Sequence, residues 1–150
     1  MYYNADGSPF FNKKGVCGIE RWYGIKNRVI EERYYVGEGV RGKSTDGYSG
    51  VQRSYNKKGK LVYERYIDED NQLMVVPALG YAKIQNEYHN GNHIKTVSYY
   101  DDQNQLTAGP EGAAVVDNTY VFFNNLTTTV YYGTDGKTPV NSIAGYARSP

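Results

Sequence analysis

Arginine next to tyrosine is the pairing in this sequence with the clearest chemical use. Arg33 precedes Tyr34 and Arg65 precedes Tyr66, while Tyr99 holds the same place later, with Ser98 before it. A phenol ring has an apolar face and a polar tip, so it suits the C–H faces and hydroxyls of a sugar. A neighbouring guanidinium adds a planar fork for phosphate or carboxylate. Trp22, the one tryptophan, departs from the local pattern and is a further candidate platform. Arg21 and Arg53 share a register with Asn86 and Asn118. A polar residue on an inward face must be hydrogen-bonded, so these four either bond between neighbouring units or line an anion groove. The tyrosines also have two readings. They are ligand platforms, or they are the stacked core that residues kept in every copy usually form.

Other chemistries find less support. Asp68-Glu69-Asp70-Asn71 and Asp101-Asp102 suggest calcium, but an EF-hand loop starting at Asp68 needs Gly at its sixth position and Glu at its twelfth. Leu73 and Leu79 stand there, so a solvated acidic turn is expected. His89 and His93 flank Asn90-Gly91-Asn92 without counterparts elsewhere, and a zinc site needs more ligands. There is no Gly-x-Ser-x-Gly elbow, phosphate-cradling glycine loop or His-Glu-x-x-His. The expectation is a protein that is not an enzyme, with no metal and no cofactor.

The candidates recur because the chain repeats itself. Tyr2, Tyr34, Tyr66, Tyr99 and Tyr131 are spaced by 32, 32, 33 and 32 residues. Five residues after each comes a turn residue: Gly7, Gly39, Asn71, Asn104 and Gly136. The same register holds Gly15, Gly47, Gly80, Gly112 and Gly145, then Tyr23, Tyr55, Tyr88 and Tyr120, then the turn residues Asn27, Gly59, Asn92 and Asn124. Several markers in one period indicate a tandem array. The copies are 2–33, 34–65, 66–98 and 99–130, with a partial one at 131–150, and the whole chain, 1–150, reads as a single repeat array with no domain boundary.

Each copy reads as a β-hairpin. In the second, 47–55 is a strand, Asn56-Lys57-Lys58-Gly59 a turn in which Gly supplies positive φ, and 60–66 the return strand. Period-2 alternation puts Ile19, Arg21 and Tyr23 on one face, as it does Val51, Arg53 and Tyr55. The opposite face carries Glu20, Trp22, Gln52, Ser54, Gln85 and Glu87 and reads as wet. A lone hairpin is marginal in water, and stacking copies buries a continuous seam. The predicted fold is therefore all-β: an elongated solenoid of tandem hairpins of about 32 residues. The fourth copy is the most diverged, with Ala113 in place of a Tyr and Val121-Phe122-Phe123 in place of a polar turn. That is drift, a cap or a contact surface.

Composition narrows the classes. Lys plus Arg number 17 against 16 Asp plus Glu. Without a basic field, neither general nucleic-acid binding nor anchoring to an anionic membrane is expected. Seventeen tyrosines suit a thin sheet better than a thick core. The single Cys17 forms no intrachain disulfide, and it aligns with Ser49 and Ala82 as a small packing residue. No apolar run is long enough to span a bilayer. The start, Met1-Tyr2-Tyr3, enters a repeat at once and lacks a signal segment, so the chain reads as a piece of something larger.

Tyr2-Tyr3-Asn4-Ala5-Asp6-Gly7 and Tyr131-Tyr132-Gly133-Thr134-Asp135-Gly136 resemble tyrosine-rich tandem repeats of bacterial surface and cell-wall proteins. Choline- and glucan-binding repeats are similar around their aromatic-Asp-Gly hairpins, though their period is shorter and their tryptophans recur. The longer unit, with its Gly-Tyr strand and Asn-Lys-Lys-Gly turn, is more similar to repeats appended to teichoic-acid and capsule enzymes of Gram-positive bacteria. The resemblance implies a non-catalytic module that holds a glycopolymer such as teichoic acid or wall polysaccharide. It places the module at the bacterial surface, or peripherally at the cytoplasmic membrane beside a polymer-building enzyme. The ligand-binding candidates are Trp22, Arg33, Tyr34, Arg65, Tyr66, Tyr99, Arg21 and Arg53. The other expectations are a structural spacer, or a protein-binding module that self-associates through the ends of the array.

Overall fold

The computed structural model describes residues 1–121, 125–141 and 148–149. Phe122, Phe123, Asn124 and Gly145, used above, lie outside the described residues. The chain is all-β. Its strands are β1 (Gly18–Tyr23), β2 (Val29–Gly37), β3 (Val40–Arg41), β4 (Gly50–Tyr55), β5 (Leu61–Ile67), β6 (Lys83–His89), β7 (His93–Tyr100), β8 (Val115–Val121), β9 (Asn125–Tyr132) and β10 (Arg148–Ser149). A 3-10 turn, Ile25–Asn27, separates β1 from β2.

The strands form one open antiparallel sheet in the order β1-β2-β4-β5-β6-β7-β8-β9-β10, with β3 added to β2. β1–β2, β4–β5, β6–β7 and β8–β9 are hairpins. Each has a register shift at the same place in the repeat, just before its recurring tyrosine: Trp22/Tyr23, Ser54/Tyr55, Glu87/Tyr88 and Thr119/Tyr120. A bulge here bends the strand and raises its local twist.

The turn residues do what their types allow. Gly7, Gly39, Asn71, Asn104 and Gly136 all have positive φ, which Gly and Asn tolerate best. Asp68 and Asp101 close their turns by accepting two backbone N–H bonds each, at 2.9–3.0 Å. At the third hairpin tip the expected turn residue, Asn92, lies in the turn, where Asn90 and Gly91 take the positive φ and His89 pairs with His93.

The core lies on one face, at the end away from the hairpin tips. Long connections return along the last residues of each second strand, as in Gly42 N–H to Tyr34 carbonyl, Met74 to Tyr66 and Thr107 to Tyr99. The strand expected from Gly47 begins at Gly50, because Gly47 turns the chain at φ 94 and Tyr48 folds over the sheet. Tyr34, Tyr48, Tyr66, Tyr81 and Tyr99 then form a ladder with successive ring centroids 6.0, 4.8, 6.4 and 4.9 Å apart. The rings are tilted by 41–58° to one another, at separations where aromatic pairs attract. Val51, Val76, Met74 and Ile84 complete the cluster. Cys17, Ser49, Ala82 and Ala114 are fully buried at one register, where only a small side chain fits.

Candidate functional site

Cross-strand register divides the candidate residues between the two faces. Ile19 stands opposite Tyr34, Arg21 opposite Glu32, Val51 opposite Tyr66, Arg53 opposite Glu64 and Ile84 opposite Tyr99. These share the core face. Tyr34 is 1% exposed and Tyr66 5%, and Tyr99 is half-buried. All three rings belong to the ladder, and those of Tyr34 and Tyr66 are closed to a ligand from solvent. Burial first, and the adjoining Glu32 and Glu64 carboxylates after it, push the phenols of Tyr34 and Tyr66 far above their ordinary range.

Arg21 and Arg53 satisfy those same carboxylates. Arg21 Nε donates to Glu32 Oε2 at 2.6 Å, and Arg53 Nε to Glu64 Oε2 at 2.7 Å. Asn86 and Asn118, at the same register, donate instead to the carbonyls of Leu61 and Ile94 on the preceding hairpin, both at 3.1 Å. Bonding between neighbouring units, one of the two readings left open, describes Asn86 and Asn118, whereas Arg21 and Arg53 bond within their own hairpins.

The other face holds the remaining candidates. A single row crosses the strands through opposed residues: Trp22, Glu31, Gln52, Arg65, Lys83 and Tyr100. Trp22 is 36% exposed, and the Arg33 guanidinium sits 4.4 Å from the centre of its ring. Arg33 Nε also donates to Glu31 Oε2 at 2.6 Å, and Gln52 donates to the other Glu31 oxygen at 2.9 Å. Each oxygen of Glu31 therefore already accepts a hydrogen bond. Trp22, Ile30, Glu31, Arg33, Gln52, Arg53 and Tyr63 line a groove of about 390 Å³, so Arg53, though paired with Glu64, also borders it.

Lys83 was not singled out in the sequence, nor were Gln52, Tyr63 and Tyr100. The Lys83 ammonium lies 4.6 Å from the Tyr100 ring centre and 5.9 Å from that of Tyr63. Burial and the nearby Arg65 charge pull its pKa below the ordinary lysine range. A signal for Lys83 existed, since it stands where the register has Gly18 and Gly50. A break in the pattern drew attention to Trp22, and the same test applied here finds Lys83.

The two faces differ in how they treat the period. The core face keeps Ile19, Val51, Ile84 and Val116, and Tyr34, Tyr66, Tyr99 and Tyr131. The polar face changes from hairpin to hairpin, Arg33 and Arg65 giving way to Ser98 and Val130. Among the four hairpins, the cationic groups of this face thus lie on the first three. Among the described residues no group of three or more His, Cys, Asp or Glu is placed to hold a metal ion. His89 and His93 instead pack on the ring of Tyr120, at 5.3 and 5.7 Å. Among the described residues no helix is long and apolar enough to cross a membrane. Compared with known proteins, the chain matches no family model and no curated protein.

Proposed function

We propose that the chain is a non-catalytic module, an elongated solenoid of β-hairpin units, that binds a bacterial cell-surface glycopolymer along its polar face. The observation that carries this reading is the transverse row. Trp22 with Arg33 at one end and Tyr63, Lys83 and Tyr100 at the other give two aromatic platforms, each with a cation against its ring. Neighbouring strands lie about 4.8 Å apart, so the row spans roughly 24 Å. That length suits several residues of an extended polymer, and weak contacts repeated along it add up. The resemblance to repeats of teichoic-acid and capsule enzymes points to teichoic acid or wall polysaccharide, and to a place at the cell surface or at the membrane beside such an enzyme.

A second reading is a structural spacer in a larger protein. It is favoured by the burial of Tyr34 and Tyr66, which are kept in register for packing.

The test is retention of the purified chain on Gram-positive cell walls before and after acid extraction of wall teichoic acid. Retention that is lost on extraction, and weakened by Trp22→Ala and Arg33→Ala, is the expected result. Undiminished retention would move the ligand to peptidoglycan or a wall protein. No retention on either wall would leave the spacer.

A further inference from the structure

On strands β1, β2 and β4 to β7, Arg21, Arg33, Arg53 and Lys95 each have a carboxylate oxygen at 2.6, 2.6, 2.7 and 3.3 Å. Arg65 and Lys83 are the exceptions. They stand directly opposite each other on β5 and β6, and among the described residues neither forms an ion pair. Like charges in opposed positions destabilise a sheet. Lys83 donates to the side-chain oxygen of Asn104 at 3.3 Å and lies over the rings of Tyr100 and Tyr63, all of them uncharged partners. Arg65 Nε is buried with no hydrogen-bond partner. The carboxylate nearest along the row, Glu31, is already held by Arg33 and Gln52. Neither cation of the pair therefore has a carboxylate partner among the described residues.

We infer that Arg65 and Lys83 form one anion subsite that takes a phosphate or phosphodiester group. Opposed β-carbons in a sheet are about 5 Å apart. A tetrahedral phosphate can offer different oxygens to the guanidinium fork and to the ammonium at once, which a flat carboxylate does less well. The rings of Tyr63 and Tyr100 flank Lys83 and offer apolar faces to the carbons on either side of the phosphorus. The inference rests on the glycopolymer reading for the identity of the carrier, and it narrows that carrier to a phosphate-linked polymer.

The experiment is an NMR titration of the full chain with inorganic phosphate, glycerol phosphate and, for comparison, acetate. Saturable shifts centred on Tyr63, Lys83 and Tyr100 are expected with both phosphates. Charge-assisted bonds of this kind should make Arg65→Gln and Lys83→Gln each bind about tenfold more weakly. Lys95→Gln, whose partner is Asp117, should bind as the parent does. The amide spectrum away from the site reports whether each variant remains folded. Equal shifts with acetate, or shifts spread over every surface lysine, would overturn the assignment to phosphate. Wall retention that survives Lys83→Gln, with no phosphate shift, would sink the subsite and leave the polymer reading standing. Phosphate binding without wall retention would do the reverse.

Discussion

The Tyr34 hydroxyl donates to Oε1 of Glu32 at 3.1 Å while Arg21 holds the other oxygen of the same carboxylate. Thirty-two residues on, Tyr66 and Arg53 grip Glu64 in the same way. A buried carboxylate is tolerable only when both oxygens are satisfied. Tyr34→Phe keeps the ring in the ladder and removes one donor. It should cost about 1–2 kcal/mol, measured as a lower urea midpoint with unchanged slope. Tyr34→Ala also leaves a cavity and should cost about 3–5 kcal/mol. Equal losses for the two would mean that the ring itself contributes little.

Acid should weaken the fold through Glu32. Burial works to raise its pKa, but hydrogen bonds from Arg21 and Tyr34 outweigh burial and hold it below the ordinary value. A depressed pKa contributes stability above the unfolded value, about 4.3, that is lost as the pH falls through the folded one. Glu32→Gln should therefore be less stable than the parent at neutral pH and lose less on acidification. Parallel stability curves for parent and variant would show that Glu32 carries none of the pH dependence.

Base should act on the ladder. Burial, the largest cause in each case, raises the pKa of Tyr34, Tyr48, Tyr66, Tyr81 and Tyr99. Their contribution is complete below the unfolded value, about 10, and is lost as the pH rises through the folded values. Absorbance titration should show the ladder tyrosines resisting ionisation until the fold opens. In denaturant all seventeen should titrate together. A single native step near the ordinary value would contradict the buried ladder.

Trp22 is the only tryptophan and is part-exposed against Arg33. Its fluorescence should be quenched readily by a small neutral quencher and be shielded when a wall polymer is bound. Arg33→Ala should change the emission without unfolding the sheet, since a cation–π contact at such a site is worth about 1 kcal/mol. Polymer retention with no change in Trp22 emission would move binding away from this end of the row.

Gly50 is a steric position. A β-carbon there would meet the Glu32 carbonyl oxygen at 2.5 Å and Ile67 Cδ1 at 2.9 Å. Gly50→Ala must push β2 and β5 apart and should lower stability by about 1–3 kcal/mol. Gly39→Ala meets open space but takes a φ of +67, so it should cost only about 1 kcal/mol. Thermal melts of the two variants separate overpacking from backbone strain.

Much of the fold was legible along the chain. Spacing located the hairpins, and alternation grouped Ile19 with Arg21 and Val51 with Arg53, because strand side chains point to alternate sides whatever the sheet packs against. The same alternation placed Trp22 on the polar side. It could not say what Arg33 does there. Arg33 leans along its strand to Glu31 and across to Trp22, and a side chain's reach is set by neighbours rather than by spacing. The tyrosines were ambiguous for a related reason, since an amphipathic ring suits both core and surface. The loops that carry Tyr48 and Tyr81 over the sheet decided in favour of the core for Tyr34 and Tyr66.

Sequence alone, then, was enough for the period, the hairpins, the turn residues and the membership of each face, since all of these follow from local backbone geometry. The opposition of Arg65 and Lys83 was decided only in three dimensions. They belong to different hairpins, eighteen residues apart. Their alignment depends on how the connection between β5 and β6 returns to the sheet, and no local preference encodes that path.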